Sequence, residues 1–148
     1  MEKIKSILQN KSATGLYLLT SPISAEALQA LAEEQKFSFS HVRGQGIATE
    51  DAFMDEIQRA GNFPDYFGRM DESIVDCLQD LDHWYPRRKG FVFFYDHADQ
   101  LASGDPETFD MVMDCFQQGL QFWRERGQKP FYIFLTGADL TLDEATLI

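Results

Sequence analysis

Two runs of five consecutive apolar residues, Phe91–Tyr95 (FVFFY) and Phe131–Leu135 (FYIFL), constrain this chain more than any other feature of it. A strand with one face in water alternates apolar and polar residues. A strand with no polar position has to be covered on both faces, which is the situation inside a parallel sheet. Parallel neighbours need long crossovers, and the segments between the apolar runs carry helical spacing. Gly15–Thr20 (GLYLLT) reads as a further short buried strand, and Phe37–Val42 (FSFSHV) alternates as a half-buried one. Ser24 is placed to cap a helix through Ala27, Leu28 and Leu31, although Ala27 stands where a capping box would have Glu.

Gly44-Gln-Gly46 breaks the chain, and Thr49 caps a second helix through Phe53, Ile57 and Ala60 that stops at Gly61-Asn62. Pro64 and Gly68 keep Phe63-Pro-Asp-Tyr-Phe-Gly68 out of helix. A third helix is expected from Met70 to Leu81. Asp105-Pro106 opens a long one through Phe109, Val112, Met113, Phe116, Leu120 and Trp123, closed by Gly127. Alternating strands and helices predict one α/β domain over residues 15–136. Its sheet is small and mostly parallel, of three to four strands, with helices packed on it. Residues 1–14 read as a flexible or helical lead-in, and 137–148 as a short, acidic, loose tail.

With 148 residues and 44% apolar content, the chain can bury a core without metal or disulfide. Cys77 and Cys115 fall within apolar helical patterns and read as small core residues in a reducing compartment. The N-terminus has no apolar run long enough for a signal peptide, and no stretch approaches the length of a membrane span, so a cytoplasmic protein is expected.

The formal charge is −11, which makes nucleic acid a poor ligand. The charge is also concentrated. Glu50–Asp82 holds ten acids and two bases, Arg59 and Arg69, for −8 of the total. In the helix Asp71–Leu81 the residues Ile74, Cys77, Leu78 and Leu81 form one apolar face, with Glu72, Asp76, Gln79 and Val75 away from it. Glu72 with Asp76, and Asp76 with Asp80, are like-charge i, i+4 pairs that each cost an isolated helix about 0.2–0.5 kcal/mol. A basic partner is one reason to tolerate that cost. A solvated acidic face, with no partner at all, accounts for it as well. The aromatic loop beside the helix would add contact area to such a surface.

The run from Phe63 to Leu81 (FPDYFGRMDESIVDCLQDL) resembles the signature of barstar-type ribonuclease inhibitors, in which an aromatic-Gly turn leads into an acid-rich helix containing Asp-Cys-Leu. Val42–Ile47, Thr49–Gly61, Phe91–Asp99, Phe122–Gly127 and Phe131–Leu135 extend the similarity to roughly residues 15–136. The resemblance implies a non-catalytic binder of a basic protein, a ribonuclease, by mimicry of its substrate's phosphate. It assigns Tyr66 and Gly68 to the loop that touches the enzyme. Asp76 becomes the aspartate that enters the active site, Glu72 a second acid that is Asp in the family, and Val75 the place of an interfacial Trp. Asp80 completes the acidic contact set. Met70-Asp71 replaces the family's usual Asn-Trp or Asn-Leu, which leaves Asp71 to act as helix cap. Glu125 is the nearest candidate for a further acid on the last helix. These departures also fit a second reading, a diverged scaffold of the same fold that binds a different protein.

Other chemistries find less support. Glu72 and Asp76 on an exposed helix lack the burial that tunes a catalytic carboxyl. His41, His83 and His97 are scattered and have no metal-ligand spacing with cysteine; His97-Ala-Asp99 reads as a strand-end turn. Gly44-Gln-Gly46 lacks the third glycine of a dinucleotide loop. Arg87-Arg-Lys89 is a basic spot too small for nucleic acid. No cofactor, metal or membrane is expected.

Overall fold

The computed structural model describes every residue from Met1 to Ile148. In chain order the elements are α1 (Glu2–Leu8), a 3-10 turn (Lys11–Ala13), β1 (Gly15–Leu18), α2 (Ala25–Glu34), β2 (Ser38–Arg43), α3 (Glu50–Gly61), α4 (Asp71–Gln79), α5 (Leu81–Trp84), β3 (Phe91–Asp96), α6 (Ala98–Gly104), α7 (Pro106–Arg126), β4 (Phe131–Leu135) and β5 (Thr146–Leu147). The strands form one parallel sheet in the order β2-β3-β4-β1-β5.

The apolar runs are buried on both faces, as their composition requires. Phe91, Phe93 and Tyr95 of β3, with Phe131, Ile133 and Leu135 of β4, point into a core of 28 residues shared with α3, α4, α6 and α7. The residues between them, Val92, Phe94, Tyr132 and Phe134, point into a smaller core of 11 with α1 and α2. Helix α1 contributes Ile4 and Leu8 to that second core, and the Tyr132 hydroxyl donates to the Asn10 carbonyl at 2.8 Å. At about 25 cal/mol per Å² of apolar surface removed from water, this two-sided burial is the main term holding the fold.

The fold class agrees with the expectation, and the sheet gains a strand. Thr146 and Leu147 pair with Tyr17 and Leu18 at the edge, and two exposed residues held only through their backbone leave no hydrophobic pattern to read. Helix α6 also lies where a turn was expected; it buries only Ala98 and Leu101. The helix expected over 70–81 stops at Gln79, and the separate turn α5 follows.

That stop is stabilised by an unusual pair of donors. The last carbonyls of a helix lack intrahelical partners. Here the Trp84 indole N–H donates to Cys77 O at 3.1 Å and the buried Trp123 indole N–H to Leu78 O at 2.7 Å. Gly119 of α7 lets α4 sit close, since a Cβ there would lie 3.0 Å from Leu78 Cβ.

Helix α3 is tied to the end of the edge strand by a buried carboxylate. Glu56 accepts the Arg43 backbone N–H at 2.7 Å, the Arg43 Nε–H at 3.3 Å and the Arg59 Nε–H at 2.9 Å. Burial by itself would raise its pKa, but the hydrogen bonds from Arg59 and Arg43 outweigh it and hold the carboxyl at about 2.

Two expected outcomes follow from these anchors. Trp123→Phe should cost about 1–3 kcal/mol, because it orphans a buried carbonyl and leaves a gap beside α4. A urea unfolding curve that superimposes on wild type would remove the indole from the account of α4. Glu56→Gln should cost about 1–3 kcal/mol at neutral pH. The folded pKa lies below the ordinary value of 4.5, so the contribution is full above pH 4.5 and is lost as the pH falls toward about 2. The two proteins' stabilities, measured against pH, should therefore converge over that interval.

Candidate protein-binding surface

The loop between α3 and α4 alternates buried and exposed aromatics. Phe63 and Phe67 are buried with ring centroids 5.4 Å apart, while Tyr66 between them stands 78% exposed. Gln58 Nε2 donates to the Pro64 carbonyl at 3.1 Å and Phe67 N–H to the same oxygen at 2.9 Å, so the turn is held from both sides. Gly68 is exposed and packs close to Ser73, so that a Cβ there would collide with Ser73 Oγ. Met70, two positions on, is 53% exposed. The family resemblance marks it only as the replacement of an Asn. It stands with Tyr66 among the few large apolar side chains left in water, and a lone Met in a helix-start position gives no sequence signal of that.

Arg69 connects this loop to α3. Its backbone is left-handed, with φ of 58°, and its guanidinium bonds Asp51 and Asp55, each at 2.6 Å. These two acids, Glu56 on its arginines and Asp82 on Lys129 at 2.7 Å are therefore neutralised locally. No ion pair holds the other six acids of the window: Glu50, Asp65, Asp71, Glu72, Asp76 and Asp80. Three of the four paired acids thus lie on α3, and five of the six unpaired ones lie on the loop, on α4 or at its end.

On α4, Glu72 and Asp76 are exposed, and Ile74, Cys77 and Leu78 are buried, as the periodicity predicts. Three details differ. Met70, not Asp71, is the N-cap and makes no side-chain cap bond; Asp71 is the first helical residue, and its carboxylate accepts only the N–H of Glu72, at 2.8 Å. Asp80 lies just past the helix as its C-cap, so it is exposed but off the regular face that carries Asp76. Val75 is half-buried against the larger core instead of facing water.

A shallow depression of about 360 Å³ is bounded by Asp71, Glu72, Val75, Asp76 and Gln118 of α7. The α7 side chain beside the acids is thus Gln118. Glu125, the sequence candidate, instead accepts from Gln121 at 2.8 Å within α7. Gln118 also donates to Asp114 at 2.9 Å, an i, i+4 pair on the outer face of α7 that could have pointed to this neighbourhood.

The thiols below are inert. Burial, with the charges of Asp76 and Asp80 adding, pushes Cys77 up to about 11; burial, with Asp71 and Asp114, pushes Cys115 up to about 12. At the carboxyl ends of the strands, His41 and His97, far apart in sequence, meet on Asp96: Nε2 of His41 at 2.7 Å and Nδ1 of His97 at 3.3 Å. Burial opposes the ionised form of Asp96, but these rings and the Gly44 N–H at 2.8 Å lower its pKa. No helix of the protein is long and apolar enough to cross a membrane.

Comparison with known proteins places this geometry. No curated protein matches the chain. Among solved structures, the Aeropyrum pernix ORC2 protein, solved as ADPNP and ADP complexes, superimposes with a TM-score of 0.57 at 16% identity, over 93% of this chain and 40% of that one. The likeness is one of fold, and the chain spans well under half of that protein's length. The family model described as Barstar (barnase inhibitor) matches residues 37–136. That match takes in β2 through β4, the aromatic loop and α4, and the chain belongs to the barstar family.

Proposed function

We propose that this protein is a barstar-like inhibitor that blocks a basic ribonuclease, in the manner of an immunity protein, by placing α4 in the enzyme's active site. The observation that carries the reading is the unpaired state of Glu72 and Asp76. Both carboxylates are exposed on a helix locked from below, with no cation to neutralise them, beside an exposed Tyr66. A ribonuclease grips phosphate with Arg, Lys and His, and carboxylates on a rigid helix present the matching charge without the cost of ordering a loop. The contact set is Tyr66, Gly68, Glu72, Val75, Asp76 and Asp80, with Met70 added by its exposure. The partner is a basic protein, the inhibitor works in the cytoplasm, and no chemistry is performed at the site.

A second reading is a diverged scaffold with another protein partner. It is favoured by Val75, a half-buried aliphatic where the family carries an interfacial aromatic, and by the exchange of the family's Asp for Glu72.

Asp76→Ala should leave stability within about 0.5 kcal/mol of wild type, since the side chain is exposed, and weaken partner binding by about 2–4 kcal/mol. Paired pull-downs from native lysate with wild type and the Glu72→Ala, Asp76→Ala double variant test both readings. A small basic ribonuclease retained by wild type alone supports inhibition; the same partner on both baits moves the working surface elsewhere. With that partner in hand, the association rate should fall steeply with ionic strength, because the steering field is screened beyond roughly 8–10 Å. A rate indifferent to salt would contradict the acidic surface.

A further inference from the structure

The four principal strands are parallel, so all of them begin at one rim of the sheet. A base stands shortly before each: Lys11 before β1, Lys36 before β2, Arg88 and Lys89 before β3, and Lys129 before β4. Parallel pairing brings these scattered residues together. All five line one cleft of about 530 Å³, in which Glu34 is the sole carboxylate.

Lys129 is paired with Asp82, but no ion pair neutralises Lys11, Lys36, Arg88 or Lys89. On a chain of net charge −11, carboxylates to quench them are abundant, and none is placed here apart from Glu34. The backbone also holds two of the lysines as neighbours. The Lys89 N–H donates to the Lys36 carbonyl at 2.9 Å, and Lys36 is left-handed, with φ of 63°. For a residue with a Cβ that conformation costs about 1 kcal/mol or more, and crowding like charges adds to it.

We infer that this cleft binds a polyphosphate group. Four unneutralised cations match the charge of a triphosphate chain, and the amides of Gln9, Gln35 and Gln128 in the same lining supply further donors. The volume of this open cleft is that of a small-ligand site, and its cluster of unpaired cations suits a compact anion. The location is unusual, since ligands of open parallel sheets ordinarily sit at the carboxyl ends of the strands. The site is independent of α4, so it does not depend on the proposed inhibition.

The test is calorimetric titration of the whole protein with inorganic triphosphate at about 0.05 M salt, where charge is weakly screened. Saturable one-to-one binding is expected, and it should be unchanged in Asp76→Ala. Lys36→Asn with Arg88→Gln should weaken it about tenfold or more, which is about 1.4 kcal/mol. Asn is chosen because it tolerates the left-handed backbone. Circular dichroism confirms the fold of the double variant, and Arg88→Gln alone, at an exposed position, gives a smaller loss that does not depend on residue 36. Adenosine triphosphate run in parallel separates the sources. Tighter binding than triphosphate means a nucleotide-borne chain, and equal binding means the phosphates alone. Absence of saturable heat, equal affinity in the double variant, or an RNA oligonucleotide that binds and is not displaced by triphosphate would overturn the site.

Discussion

The two-sided burial of β3 and β4 is the constraint on which everything else rests. Every residue of Phe91–Tyr95 and Phe131–Leu135 is buried, so helices must cover both faces, and the connections must cross over. The larger core then fixes where α3, α4 and α7 lie, and the smaller one recruits α1 and α2. The proposed binding surface inherits its rigidity from this arrangement: α4 rests on α7 at Gly119, and two indoles hold its final carbonyls. A helix held this firmly can carry a like-charge pair at Glu72 and Asp76, because packing supplies far more free energy than that repulsion removes.

Charge in this protein is sorted by neighbourhood as well as by sign. Glu56 is buried and satisfied by two arginines and a backbone amide, and it serves to seat α3. Asp51 and Asp55 share Arg69, which at the same time pins the end of the aromatic loop where it enters α4. Glu72 and Asp76 receive no such partner. The same residue types thus act as anchors on one helix and as an open surface on the next, and only the through-space partners distinguish them.

That distinction marks the limit of what the sequence made legible. The strands β3 and β4, the long α7 with its Gly127 cap and the apolar face of α4 were readable because each is written in consecutive or evenly spaced residues. The strand β5 was not, since Thr146 and Leu147 pair through backbone alone. Arg69 reaches acids 14 and 18 positions away, the Asp96 contacts join His41 to His97, and Gln118 comes to α4 from a different helix; periodicity carries none of these. Asp71 was a reasonable cap by residue type, but the chain turned one position earlier, at Met70. The basic rim was visible only as Arg87-Arg-Lys89, because its other members lie in three distant segments that meet when the strands align.

The outer strands determine what the sheet offers to another chain at its borders. An open parallel sheet offers a ladder of unpaired amides and carbonyls at each border, and a long flat border invites another chain to extend it. Here one border is β5, with just two paired residues, too few to set a register for an incoming strand. The other is β2, where the ring of His41 and the guanidinium of Arg43 are already bound to Asp96 and Glu56, so a docking strand would meet a charged, occupied margin. Neither border therefore presents a long, flat, unoccupied edge for another strand to extend.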